Sequence, residues 1–273
     1  MTDKNLPPSD NRATVRPSND PSNIQPSAQS TIQSSEQPSN PTDDGTMSLT
    51  EHLTELRSRI IKSLIAVAVG SCVGYFFIDE IIALMAEPVG KLYFMQPSEA
   101  FFTYLKTDIF VGFLMALPVI FYHVWKFFLP ALTTSERAVL SIVVPLSVLL
   151  FFAGLAFSFF LVLPTALKFF MSFGSDDLTA MFSLSRYFDF MLTFVLPFGF
   201  VFELPLVIIV LGKLGLLTSE FLGRYQRIVI FMSFVIGAII TPTPDVFTQS
   251  MIALPMILLY ELGYLVVKYI LRK

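Results

Sequence analysis

Residues 188–211 read FDFMLTFVLPFGFVFELPLVIIVL, a run that is apolar almost without a break. At 1.5 Å per residue a helix over this stretch is about 36 Å long, enough to cross the roughly 30 Å hydrocarbon core of a bilayer. One residue inside it needs a reason. Glu203 sits in Phe200-Val201-Phe202-Glu203-Leu204-Pro205, and no basic residue shares the span. A charge near the bilayer centre costs at least about 2.5–3.5 kcal/mol on the insertion scale. Glu203 is therefore protonated, or paired with another helix, another subunit or water in a cavity. A functional or partner-binding role outweighs decoration.

Working outward, the same composition recurs. Ile60–Ile78, Ile109–Leu129 and Ala138–Leu163 read as three earlier spans, and Ile228–Ile240 and Val246–Val267 as two later ones. The fifth is short: its apolar run of 13 residues covers only about 20 Å. The sixth is interrupted by Pro255 and Glu261. Two short hairpinned helices require local bilayer thinning or burial against longer neighbours. Pro118, Pro145, Pro164, Pro197, Pro205 and Pro255 in or near spans predict kinks and a concave bundle. The fold class is thus an all-α membrane protein of six transmembrane helices. An amphipathic outer-surface helix is expected around Ile81–Leu92.

The whole chain is 54% hydrophobic and 14% charged, against about 25% charged in soluble domains. That argues against an ordinary cytosolic enzyme. The average conceals a division. Residues 1–46 hold 7 of the 18 prolines, 8 serines and no aromatic residue. Such a segment cannot bury enough apolar surface to offset ordering, so it reads as a disordered polar tail. It lacks the apolar core of a secretory signal peptide. Residues 47–273 form the membrane domain.

Six spans return the chain to its starting side, and basic residues choose that side. Arg57, Arg59, Lys62, Lys126, Arg137, Lys213, Arg224, Arg227, Lys268, Arg272 and Lys273 fall on one face, and Lys91, Lys106, Lys168 and Arg186 on the other. Both termini are therefore assigned to the cytoplasm. The basic residues are scattered rather than patched, so nucleic acid is not an expected partner. The lone Cys72, with only His52 and His123, suggests no metal site. No phosphate-cradling loop and no nucleophile–base–orienter set is present, so no catalytic residue and no cofactor is expected.

The remaining polar residues cluster at helix ends. Ser48–Arg57 reads as an amphipathic lead-in, with Ser48 and Glu51 as a capping box. Glu55 can pair with Arg59 one turn on, worth a few tenths of a kcal/mol when exposed. Glu136 follows Thr133 in a second capping box. Two cytoplasmic carboxylates beside membrane-entering helices could also hold a cationic ligand, for which arginine is the natural partner. Trp125, Phe127 and Phe128 fit an aromatic belt, as do Phe101 and Phe102 on the outer side. Before the last span, Thr243 is the expected N-cap, with Pro244 at the first helical position and Asp245 complementing the dipole.

His52-Leu53-Thr54-Glu55-Leu56-Arg57 resembles the N-terminal motif of the TatC family, the polytopic core of the twin-arginine protein translocase. Further segments match in order: Ala86-Glu87-Pro88, Pro97-Ser98-Glu99-Ala100-Phe101-Phe102, Val124-Trp125-Lys126-Phe127-Phe128-Leu129-Pro130-Ala131-Leu132 with Glu136-Arg137, Phe202-Glu203-Leu204-Pro205, and Thr241–Gln249. The resemblance covers 47–273. It implies a glove-like six-helix bundle with both termini cytoplasmic and short fifth and sixth helices, in the bacterial inner membrane. It implies a receptor for folded precursors bearing an Arg-Arg signal peptide, driven by the proton-motive force. By motif, Glu55 and Glu136 contact the twin arginines, with Arg57, Phe127 and Arg137 in the same patch. Glu203 is where TatA- and TatB-type single-span subunits dock. Pro88, Phe101, Asp245 and Gln249 match outer positions. The implied partners are those subunits, twin-arginine precursors, membrane lipid and further copies of the chain. The competing readings are a six-span solute transporter using Glu203, and an intramembrane enzyme without a plausible catalytic set.

Overall fold

The computed structural model describes residues 49–128, 137–175, 181–241, 243 and 245–272. The polar tail 1–46, the loop carrying Thr133 and Glu136, and Pro244 lie outside the described residues, so the expectations placed on them go no further here. Six helical segments are long and apolar enough to cross a membrane: Leu53–Ala86, Pro97–Phe127, Ser141–Met171, Leu184–Lys213, Ser219–Ile240 and Val246–Leu271.

Helix α1 (Leu49–Gly74) runs without interruption from the amphipathic lead-in into the first span. A single 3₁₀ turn then leads to α2 (Ile78–Ala86). The expected outer helix therefore begins three residues early and stops well short of Leu92. Pro88 explains the stop, because it has no N–H to continue the ladder. The Leu84 carbonyl accepts instead from Glu87 N–H at 3.3 Å. Gly90, at φ 71°, closes the turn by donating to the Ala86 carbonyl at 3.1 Å. Glycine takes that left-handed conformation at no steric cost.

Helix α3 (Pro97–Phe128) begins twelve residues before the predicted span. Its 32 residues extend about 48 Å, longer than the roughly 30 Å hydrocarbon core of a bilayer. Hydropathy locates only the lipid-crossing part of such a helix. The third span is α4 (Arg137–Phe157) joined through a π turn at Ser158–Val162 to α5 (Leu163–Met171). Pro164 supplies a cause: its ring clashes with the carbonyl four residues back, and widening the turn relieves that clash. The fourth span is α6 (Leu184–Phe202) and α7 (Leu204–Lys213), broken at Glu203.

Helix α8 (Ser219–Ile240) is 22 residues long, about 33 Å, rather than the 13 read from its apolar run. Thr218 caps it, its hydroxyl accepting from Phe221 N–H at 3.3 Å. Glu220, Arg224, Gln226 and Arg227 occupy the first turns and hid them from a hydropathy reading. Helix α9 (Val246–Val266) absorbs Pro255 and ends in a π turn to Leu271. The fifth and sixth spans are nonetheless the two shortest of the six.

Two dipeptides, β1 (Leu92–Tyr93) and β2 (Phe182–Ser183), pair in parallel and tie the segment before α3 to the segment before α6. Otherwise the described fold is helical. The α6–α7 span is the most enclosed, and the first and fifth spans the least. Phe188, Met191, Phe194 and Phe198 of α6 are buried completely or nearly so, with Phe151 of α4, Leu117 of α3 and Leu163 of α5. Phe121 and Phe151 meet edge to face at 5.8 Å. Lipid tails are as apolar as these side chains, so close packing and directed contacts hold the bundle rather than water exclusion. Helix α1 approaches α3 through Gly70: a Cβ there would lie 2.6 Å from the Gly112 carbonyl oxygen. Small residues at this crossing let the two backbones touch.

Candidate functional site

The first cluster sits where α1 meets the far end of α3. Arg59 is only 8% exposed. Its Nε donates to Glu55 Oε1 at 3.2 Å, its Nη2 donates to the same oxygen, and its Nη1 donates to the His123 backbone carbonyl at 3.1 Å. The i,i+4 pair expected from spacing is present, but it is not a surface pair. The guanidinium is enclosed and anchored to a second helix, while about a third of the Glu55 side chain is exposed. A buried cation needs a partner for every direction in which it has lost water. Phe127 lies one turn beyond His123 on α3 and is half-buried. Arg57 is exposed on α1. Arg137 begins α4, but its side chain is outside the described part, as is Glu136. The structure therefore joins Glu55 to the end of α3 and does not describe the other half of the proposed patch.

The second cluster lies in the bundle interior. Glu203 is 7% exposed, and neither carboxylate oxygen has a hydrogen-bond partner of ordinary geometry among the described residues. Ser147, fully buried on α4, faces it. The Ser147 hydroxyl accepts from the Trp125 indole N–H at 2.7 Å, which leaves its own proton to turn toward Glu203. Trp125 is accordingly a core residue and not part of an interfacial belt: its indole N–H needed a buried acceptor and found one. The backbone breaks at the same place. Glu203 N–H donates to the Phe200 carbonyl at 3.1 Å and its carbonyl accepts from Val207 at 2.9 Å. Pro205 offers no N–H to Val201, which ends the α6 ladder.

The remaining motif residues lie at helix ends and on helix faces. Pro88 terminates α2, as described. Phe101 is exposed and meets Phe102 edge to face at 5.5 Å. Asp245, rather than Thr243, is the N-cap of α9. Its Oδ2 accepts from Thr248 N–H at 2.7 Å and its Oδ1 accepts from the Thr248 hydroxyl. Thr243 instead contacts that hydroxyl at 3.1 Å. Burial pushes the Asp245 carboxyl up, but the bonds from Thr248 and Thr243 outweigh it and hold the group below its ordinary value. Gln249 Nε2 donates to the Phe234 carbonyl at 2.7 Å, stapling α9 to α8.

Sequence reasoning missed a set of long-range pins around the start of α3. Glu99 accepts from the Ser183 hydroxyl, from Ser185 N–H at 2.8 Å and from Met95 N–H at 2.7 Å. Lys106 bridges to Asp189 at 2.7 Å. Met95, Glu99, Lys106, Ser183 and Ser185 border a cavity of about 1010 Å³, lined also by Phe102, Arg186 and Phe190. At the opposite end of the hairpin, Glu261 accepts from Gln226 of α8, so its carboxylate has a neighbour in the fold.

Residues 51–255 match the family model described as Sec-independent protein translocase protein (TatC). The chain is 38% identical over 219 residues to the TatC protein of Carboxydothermus hydrogenoformans, covering 79% of this chain and 90% of that one. It is 41% identical over 226 residues to the TatC protein of Aquifex aeolicus, covering 80% and 93%. A crystal structure of the twin arginine translocase receptor TatC superposes with a TM-score of 0.71 at 39% identity, over 80% of this chain and 98% of the other.

Proposed function

The chain belongs to the TatC family, a multi-pass membrane component of Sec-independent protein translocases, and on that premise we propose that it is the signal-peptide receptor and assembly core of a twin-arginine translocase. It lies in the bacterial cytoplasmic membrane with both termini inside. It receives folded precursors through the Arg-Arg motif, gathers TatA- and TatB-type single-span subunits, and works in a receptor complex with further copies of itself among membrane lipid. The sequence offers no phosphate-binding loop, so the proton-motive force is the proposed energy source.

The observation that carries this reading is the Glu55–Arg59 pair. The partly exposed carboxylate of Glu55 is already seated against a guanidinium, the group that a twin-arginine ligand brings. A carboxylate meets a guanidinium through charge-assisted hydrogen bonds that an ammonium cannot reproduce in the same geometry. Glu136 is the proposed second carboxylate, with Arg57, Phe127 and Arg137 around it. The decisive experiment is site-specific crosslinking of an Arg-Arg signal peptide to the full chain. Glu55→Gln and Glu136→Gln are each expected to weaken it. Unchanged crosslinking in both variants would sink the assignment.

Glu203 is the proposed docking group for a single-span partner. Its carboxyl is enclosed in the chain by itself, so a partner helix engages it by parting the wall beside the α6–α7 break. Pro88, Phe101, Asp245 and Gln249 are proposed to serve function indirectly, by holding the outer ends of the helices in register.

A further inference from the structure

We propose that the cavity beside the start of α3 is a phospholipid site, in which Arg186 holds the phosphate and an acyl chain lies along Phe102, Phe170 and Phe190. The site stands apart from Glu55 and Glu203 and needs no reading of either. Its volume of about 1010 Å³ is at the top of the roughly 300–1,000 Å³ range of small-molecule sites. Helices α3, α5 and α6 supply the aromatic wall. Phe102 is exposed, while Phe170 and Phe190 are half-buried and meet edge to face at 6.2 Å. Centred on a hydrocarbon core of about 30 Å, a helix of about 48 Å leaves about 9 Å at each end. Glu99, Phe102 and Lys106 fall within the first three turns of α3. The cavity therefore lies at the depth where head groups meet acyl chains.

The charges at and beside the cavity differ in what they still need. Both oxygens of Glu99 are engaged: Oε1 accepts from the Ser183 hydroxyl and Ser185 N–H, and Oε2 accepts from Met95 N–H. Lys106 is paired with Asp189. Arg186 lines the cavity from the first turn of α6 and is exposed. It has no hydrogen bond or ion pair among the described residues. A guanidinium meets a phosphate through two parallel hydrogen bonds, and an arginine stem lies on apolar surface while its head reaches polar groups. A soluble anion would engage Arg186 and leave the aromatic wall bare. A hydrocarbon alone would cover the wall and leave Arg186 without an acceptor. A phospholipid satisfies both at once.

The test uses the full chain in non-ionic detergent micelles, which carry no phosphate. Phe102→Trp places a fluorescent reporter in the cavity, and Met95→Trp serves where that variant does not accumulate, since Met95 is exposed and lines the same cavity. The native Trp125 is buried on another part of α3 and gives a constant background. The probes are phosphatidylglycerol and diacylglycerol with identical brominated chains, which quench a nearby indole. Phosphatidylglycerol is expected to reach half-quenching at about fivefold lower mole fraction than diacylglycerol. Arg186→Gln is expected to remove that difference while the unfolding midpoint holds, because the side chain is exposed. Excess glycerol phosphate, the head group without chains, is expected to leave the quenching in place. Equal half-quenching by the two lipids in the reporter variant would mean non-specific contact with the micelle and overturn the site. A difference that survives Arg186→Gln overturns the role of Arg186. Reversal of the quenching by glycerol phosphate alone would make the site one for a soluble phosphate and overturn the lipid assignment.

Discussion

The Tyr187 hydroxyl donates a hydrogen bond of 2.8 Å to the backbone carbonyl of Met85, 102 residues earlier in the chain. Both residues are buried. The bond satisfies a carbonyl in the last turn of α2 and fixes that helix to α6. Tyr187→Phe keeps the ring and removes the donor, leaving the Met85 carbonyl unpaired. The expected loss is about 1–3 kcal/mol. Thermal unfolding of the detergent-solubilised protein measures it, and faster proteolysis between α2 and β1 locates it. An unchanged midpoint would mean that water or lipid replaces the phenol.

Gly199 lies directly under the Phe151 ring, where a Cβ would come within 2.6 Å of the ring edge. Phe151 is fully buried and has nowhere to move. Gly199→Ala is expected to cost about 1–3 kcal/mol through overpacking. A smaller residue on the other side, as in Gly199→Ala with Phe151→Leu, should recover part of it. Failure of the pair to recover anything would place the strain elsewhere.

Asp245 gives a pH dependence with a definite sign. Its carboxyl is held below the ordinary value in the folded chain. Its contribution is therefore fully present above the unfolded value, near pH 4, and is lost as pH falls through the depressed folded value. Asp245→Ala should lower the unfolding midpoint at neutral pH, by an N-cap's worth of about 1 kcal/mol. The difference between variant and wild type should shrink as pH drops below about 4. A constant difference across that range would show that the carboxylate is not the stabilising form.

Glu203→Gln preserves the shape of a side chain that has no hydrogen-bond partner of ordinary geometry among the described residues. Folding should survive it. If partner subunits engage the carboxyl, co-purification of the single-span subunits should decline while the unfolding midpoint holds. Full retention together with full export would leave Glu203 a structural residue of the α6–α7 break.

What could be read from sequence follows the physics of each signal. The six spans were legible because the bilayer imposes a length of apolar chain, and each described span overlaps its predicted stretch. Their ends were not. Helix α3 continues outward through Glu99 and Lys106, and α8 begins among Glu220, Arg224 and Arg227, because a helix crossing an interface changes its solvent and not its backbone. Glu203 stood out as an exception; its enclosure beside Ser147 and Trp125 depends on two other helices, α4 and α3. Glu55 and Arg59 were legible as neighbours one turn apart, whereas the His123 carbonyl that completes the Arg59 shell belongs to α3 and left no trace in spacing. The Asp245 cap was misplaced by two residues, since Thr243 and Asp245 are both good caps and only tertiary contact chooses.

The parallel pairing of Leu92 with Phe182 and Tyr93 with Ser183 has a consequence for the order in which the molecule is made. The two strands are separated by 90 positions, and that interval contains two complete membrane crossings. While the chain is being synthesised, the first outer loop reaches its final side long before its pairing partner exists. The clasp can close only after the third span has been threaded and residue 183 has followed it. Until then Glu99 has neither Ser183 nor Ser185 to hold it. The outer surface is thus a late seal: its closure certifies that both intervening crossings have been inserted the right way round, and a chain with one span missing would carry its two strands on opposite sides of the membrane.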